Sequence, residues 1–348
     1  MIHKTLSRHN GVRTGAVWTA LCAGLLLAML FGVSCGAVPL PVSDLIAILL
    51  HRQPLSVEES SILFDIRLPR VIAAALAGAA LSASGVLFQG LMRNPLADPY
   101  ITGSSGGAVL GATIGMVLLP QITWQGYSAI AMLAFAGALG TIAIVYSLAR
   151  VRGNTQVVTL LLAGFTVSTM LSNSSYFVEI LDHNNGFGLR VLAIWLHGTI
   201  GTPRWNQLIV SGVLLLISLC VAMTWAHRLN SLALGDEYAQ QLGLHVERVR
   251  ISVILAASLL TAIAVSLGGL IGFVGLIIPH LSRLITGPDH LRLLPVATVT
   301  GAIFLVLTDT IARTVVAPSE LPVGVLMAFI GGPFFLFMLR RTRGGFAS

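Results

Sequence analysis

"MRNPLADPYITGSSGGAVLGA", Met92 to Ala112, decides how this chain is read. It lies between two long apolar runs and interrupts them with Asn94-Pro95 and Asp98-Pro99, then restarts on Gly103, Ser104, Ser105, Gly106 and Gly107. A residue before proline is biased away from the helical region, so Asn94 ends one helix. Asp98 followed by Pro99 has the pattern of an N-cap acid with proline at the first helical position, so the next helix is expected to start at Pro99. Its small residues give that helix a side with almost no bulk, which in a membrane lets helices approach closely. A phosphate nest is the competing reading of the glycines, but amides inside a helix are already bonded.

Working outward, the 348 residues are 55% hydrophobic and 9% charged, with a mean hydropathy of +0.89. A soluble domain carries roughly a quarter charged residues. The composition therefore predicts an all-α polytopic membrane protein, because lipid offers no partner for open backbone and a span needs roughly 20 apolar residues. Apolar segments fall near 16–37, 70–91, 100–119, 127–149, 156–178, 191–200 running with 206–226, 251–270, 271–286, 294–315 and 322–339, about ten spans in one transmembrane domain over 1–348. The first is long enough to read as an uncleaved span rather than a signal core.

With a cytoplasmic N-terminus, fourteen of the twenty Lys and Arg lie at cytoplasmic ends, leaving Arg52, Arg67, Arg70, Arg190, Arg204 and Arg313 outside. The positive-inside rule favours that orientation, and an even number of spans returns the C-terminus to the cytoplasm. The net charge of +7 is spread over loops and carries no nucleic-acid signature. Cys22, Cys35 and Cys220 are scattered, make neither a disulfide framework nor a metal cluster, and read as small buried residues.

Enzyme chemistry finds little support. Lys4 is the only lysine and no glycine loop precedes it, so the chain lacks the P-loop that would let it hydrolyse ATP itself. The histidines form no ligand pair at helical spacing, and His183 and His197 stand fourteen apart around an outer loop. No nucleophile elbow or acid–base carboxylate pair is present. Among thirteen Asp and Glu, only Asp309 falls inside an expected span, with Arg313 one turn on as its natural partner. A stand-alone ion-coupled carrier would have to rely on Asp309.

The longest polar cytoplasmic stretch, "HRLNSLALGDEYAQQLGLHVERVR" (227–250), holds a candidate short helix. Asp236 is expected to cap it, Glu237 suits its positive end and Gly243 closes it. Leu234 and Leu242 lend apolar character, while Gln240 and Gln241 face water. Composition leaves open whether this is an ordinary loop helix or one that a cytoplasmic partner pushes on.

Four blocks, 67–112, 232–250, "GLIGFVGLIIPHLSRLITGPDHLRLLP" (269–295) and "DTIARTVVAPSELPVGVLMAFIGGPFFLFMLRR" (309–341), closely resemble one family. It is the permease family of binding-protein-dependent ABC importers for iron–siderophores, haem and vitamin B12, of the type II fold. The resemblance implies ten helices per subunit in a bacterial inner membrane, a homodimeric pore, two cytoplasmic ATPase subunits that hold the ATP and Mg, a substrate-binding protein outside, and no cofactor on this chain. It implies ATPase coupling through Gly235, Asp236, Glu237, Ala239, Leu242 and Gly243 in the loop at about 228–250. It likewise implies docking of the binding protein at outward-facing Arg67, Arg70 and Arg313, and a cytoplasmic gate at Asn94 and Leu96. At the other inner gate the vitamin B12 permease has hydroxyl residues, where this chain has Val157 and Val158. His197 stands where many relatives carry an apolar residue and reads as an interfacial histidine. Gly324, Gly331, Gly332 and Pro333 are expected to let the last span adapt.

Overall fold

The computed structural model describes residues 2–36, 56–124, 127–151, 154–180, 187–317 and 319–343. His183 lies outside these residues. Among the described residues twelve helices follow one another: α1 (Ile2–Ser34), α2 (Val57–Met92), α3 (Ser104–Leu118), α4 (Ala129–Ala149), α5 (Val157–Ile180), α6 (Phe187–Leu196), α7 (Trp205–Ala233), α8 (Asp236–Gln241), α9 (Val246–Gly268), α10 (Val274–Thr286), α11 (His290–Thr314) and α12 (Val323–Arg343). Eight are long and apolar enough to cross a membrane, and the shorter α3 and α10 bring the apolar helices of spanning character to ten.

The buried centre is α2, packed against α7, α9, α10 and α11. Its inward face is alanine, glycine and serine, and Ala73, Ala74, Ala77, Ala80 and Ala83 are fully buried. Bulk is replaced by close backbone approach: a Cβ at Gly78 would sit 2.2 Å from the Gly301 carbonyl oxygen of α11, and one at Gly85 would sit 1.9 Å from that of Gly275 in α10. The Ser84 hydroxyl donates to the Ala257 carbonyl at 2.9 Å, tying α2 to α9. The same logic holds α3 between α4 and α5. A Cβ at Gly107 would lie 2.2 Å from the Gly137 carbonyl oxygen, and one at Gly106 would lie 2.3 Å from that of Ser168. The small run of the opening stretch is therefore a packing face.

Several boundaries differ from the expectations. The helix expected at Pro99 is a single 3₁₀ turn, Pro99–Thr102, and α3 starts only after Gly103, which turns left-handed at φ 87°. Asp98 still caps, accepting the Tyr100 amide at 2.8 Å. α2 begins at Val57, well before residue 70, behind a capping box in which Ser56 and Glu59 bond each other's backbone amides. It passes through a π-helical turn at Ile62–Arg67. The joined segment 191–200 with 206–226 is two elements, the separate α6 and the 29-residue α7. Helix α10 has only 13 residues, about 20 Å at 1.5 Å per residue, against roughly 30 Å of hydrocarbon. Helix α10 is thus too short to cross alone, and the irregular backbone of its link to α9, Gly269–Phe273, survives because protein covers it. The Tyr100 hydroxyl accepts the Ile271 amide at 3.3 Å, and a Cβ at Gly269 would meet the Trp195 carbonyl oxygen at 2.3 Å.

Cys22 and Cys220 are exposed on α1 and α7, and Cys35 is half-buried, so the reading of all three as buried residues does not hold. An apolar solvent outside the protein removes the usual reason to hide a thiol.

Candidate functional site: a turn, a short capped helix and a buried ion cluster

At the end expected to face the cytoplasm, α2 stops in a left-handed cap. Arg93 adopts φ 49°, while the Asn94 amide returns to the Gln89 carbonyl at 3.1 Å and the Arg93 amide to that of Gly90 at 3.3 Å. The Asn94 side chain accepts the Leu96 amide at 2.9 Å, which sets the turn. Asn94 is exposed and Leu96 half-buried. Burial pushes the Asp98 carboxyl up to about 6, with the Tyr100 amide pulling the other way. The turn then rests on α5, since a Cβ at Gly103 would stand 2.7 Å from the Gly164 carbonyl oxygen. The other expected gate pair opens α5: Val157 is half-buried and Val158 is 68% exposed.

The short helix α8 is built as a rigid knob. Gly235 (φ 128°) and Gly243 (φ 77°) bracket it. The Leu244 amide reaches back to the Ala239 carbonyl at 3.0 Å and the Gly243 amide to that of Gln240 at 2.9 Å, a complete Schellman closure at the expected glycine. Ala239 is its buried anchor, whereas Tyr238 and Leu242 are large apolar side chains held in the open, with Leu234 just ahead of them. Glu237, Gln240 and Gln241 are exposed. The N-cap is Gly235, not Asp236. The Asp236 carboxylate is drawn away from the backbone because it accepts from both Arg93 and Arg250. Neither arginine was among the site residues the sequence pointed to. The signal was present, one acid with two arginines in flanking segments, but the spacing of 143 residues to Arg93 hides it.

At the opposite end of α2 the expected docking arginines sit together and differ from the expectation in exposure. Arg67, Arg70 and Arg313 are all buried, none more than 8% exposed. Arg70 grips Asp309 with two prongs, Nε to Oδ2 at 3.2 Å and Nη2 to Oδ1 at 3.1 Å, and sends Nη1 to Glu320 at 2.8 Å. Arg313 lies 3.7 Å from the second carboxylate oxygen and donates to the Gly32 carbonyl. Arg67 donates to the Val33 carbonyl at 2.8 Å. Asp309 draws two guanidinium groups inward, and the ends of α1, α2 and α11 are stapled together. The principal partner of Asp309 is thus Arg70, from another helix, more than the neighbour Arg313. In this cluster Glu320 is the exposed group.

His197 is exposed at the end of α6, and its carbonyl oxygen would lie 2.0 Å from a Cβ at Gly324 of α12. The ring of Phe273 fills the place of a side chain at Gly331. Gly324 and Gly331 therefore serve close approach, and α12 runs through Pro333 as one helix.

Comparison with known proteins agrees with this architecture. The model of the FecCD transport family matches residues 24–341. The chain is 43% identical over 275 residues to the cobalamin import system permease protein BtuC of Halobacterium salinarum, covering 79% of this chain and 72% of that one. It is 36% identical over 332 residues to the hemin transport system permease protein HmuU of Yersinia pestis, covering 94% and 98%. Among solved structures, a transporter assigned to the metal-chelate ABC type in an inward-facing conformation superposes with a TM-score of 0.78 at 29% identity, over 94% of this chain and 99% of that one. The chain belongs to the FecCD transport family, as a membrane-embedded permease subunit.

Proposed function

We propose that this chain forms, as a homodimer, the pore of an ATP-driven importer that carries a metal chelate into the cell by alternating access. The observation that carries the reading is α8: a capped, anchored helix with Tyr238 and Leu242 exposed at the inner surface, shaped to seat in a groove of a cytoplasmic ATPase. Gly235, Asp236, Glu237, Ala239, Leu242 and Gly243 form that coupling element. ATP and Mg belong to the partner, two ATPase subunits per dimer, and this chain holds no cofactor of its own. Asn94 and Leu96 with Val157 and Val158 form the inner gate, a drier one than hydroxyl residues would make. Both termini lie in the cytoplasm.

A dimer is supported by α5, the least buried of the long helices. Its open face carries Thr166, Thr169, Asn173 and Ser174 alongside Phe165, Tyr176 and Phe177. Thr166, Thr169, Asn173 and Ser174 each donate back to the preceding turn, but their oxygens keep acceptor capacity that lipid does not meet, so this face belongs against a second copy and a water-filled path. A substrate-binding protein would meet the outer rim where Arg67, Arg70 and Arg313 converge, reaching Arg70 by displacing Glu320. Among cargoes a ferric siderophore ranks first, then haem, then a corrinoid; the relatives named for cobalamin and hemin are consistent with a metal chelate.

The test is gentle solubilisation from native membranes and mass determination of what co-purifies. Two ATPase subunits per two copies of this chain are expected. A chain that emerges without an ATPase would overturn the reading and turn attention to Asp309 as the ion-coupling group of a stand-alone carrier.

A further inference from the structure

The polar side chains around α8 do more than hold it. Asp236 stands on its first turn and bonds two arginines that lead in different directions. Arg93 is the left-handed cap of α2, adjacent in sequence to Asn94 of one gate. Arg250, on the first turns of α9, passes from Asp236 to the Thr155 carbonyl at 3.0 Å. Thr155 ends the two-strand hairpin, Arg150–Val151 with Asn154–Thr155, that enters α5 two residues before Val157. Glu247 closes the same corner: it accepts the Thr155 amide at 3.0 Å, the Thr155 hydroxyl, and the Tyr146 hydroxyl of α4 at 2.9 Å.

Between this hairpin and α8 lies an open cleft of about 710 Å³, lined by Thr155, Val157, Asp236, Gln240, Glu247 and Arg250 among others. Apolar packing does not fill it, so α8 and the start of α5 are not locked by contact. Arg250 spans it. The side chains are graded in exposure, Arg93 and Asp236 at 40% and 37% and Arg250 at 13%, so the α5 arm is the drier one. Charge-assisted bonds are strong and oriented, so Arg250 ties the two sides of the cleft together while the cleft leaves room for displacement.

We infer that Asp236 is a branch point that conveys movement of α8 to the two halves of the inner gate along separate arms, through Arg93 to the Asn94–Leu96 turn and through Arg250 and Thr155 to Val157–Val158. This rests on the importer reading and assigns Arg93, Arg250 and Glu247 as positioning residues, acting on the gate and not on cargo. Neither arm includes the exposed apolar knobs Tyr238 and Leu242, so loss of an arm leaves the face offered to the ATPase intact.

The experiment uses the full complex with its ATPase, spin-labelled at exposed positions beside each half-gate through Pro95→Cys or Gln156→Cys in a background without the native cysteines. Distances between the two copies are measured by double electron–electron resonance with and without ATP and vanadate. Arg93→Gln is expected to remove most of the nucleotide-driven shift at position 95, while position 156 still moves. Arg250→Gln is expected to do the reverse, with ATP hydrolysis continuing in both variants. A variant that silences both positions, or neither, overturns the branched relay. A complex without either substitution in which no position responds to nucleotide overturns the importer reading itself.

Discussion

Asp309 is the one acid the sequence places inside a span, and its surroundings decide what it does. Arg70 and Arg313 both face it, and it is 1% exposed. An ion-coupling carboxylate needs a route to bulk and a protonation or binding step that changes its partners; Asp309 is instead held by two cations. Breaking a buried pair by removing one partner costs about 3–5 kcal/mol, since the other charge is left uncompensated. Asp309→Asn is therefore expected to lower the thermal midpoint of the purified complex markedly, while whatever folds still imports cargo. Abolished uptake with an unchanged midpoint would count for the ion-coupled reading. The acid and Arg313 were legible in the sequence from their spacing of four. The grip of Arg70 was not, because it joins residues 239 apart.

At the scale of elements, α8 was legible down to its closing glycine. A left-handed position after a short polar helix has a strong residue signature, and Gly243 fulfils it at φ 77°. Substituting Gly243 with Val forces a branched side chain into a conformation that costs roughly 1–2 kcal/mol. No neighbouring atom lies within 4 Å of its Cβ position, so strain there is conformational and not a clash. The helix end loosens while the membrane core is untouched. Gly243→Val should leave the dimer folded and the ATPase bound, with ATP spent and little cargo moved; uptake equal to the parent protein would refute the coupling role of this helix. Less legible was the restart after Asp98. The pattern of an acid and a proline marks a first helical turn, and that turn is present, but Gly103 then reverses the backbone so that α3 can lie against Gly164 of α5. A rule for local capping holds no information on what the next helix must pack against.

At the scale of the molecule, the helices sort by what their outer faces can touch. α2 and α9 are wrapped by protein, whereas α1, α5, α7 and α12 are largely open. On α1 the open face is Leu26, Leu27, Leu30 and Phe31, at home in lipid. On α5 it mixes aromatic rings with Thr169 and Asn173. With cysteines placed at Thr169 or Asn173 and a short bifunctional thiol reagent applied to native membranes, a cross-linked dimer is expected; cysteine at Leu27 should give none. The opposite pattern would place the second copy elsewhere and remove α5 from the pathway.

By itself the sequence determined the membrane class, about ten spans, the break at Asn94, a short helix closed at Gly243 and the family, because each is written in local composition, local caps or contiguous motifs. Tertiary structure alone decided that Arg70 and Arg313 are folded inward onto Asp309, that Asp236 serves Arg93 and Arg250 rather than its own helix end, and that the α9–α10 corner is covered by protein. Those outcomes depend on charges and carbonyls brought together from distant segments. In a low-dielectric interior an ionised group takes whichever partner the packing of helices leaves within reach, and helix packing here is set by glycines whose partners the linear order does not name.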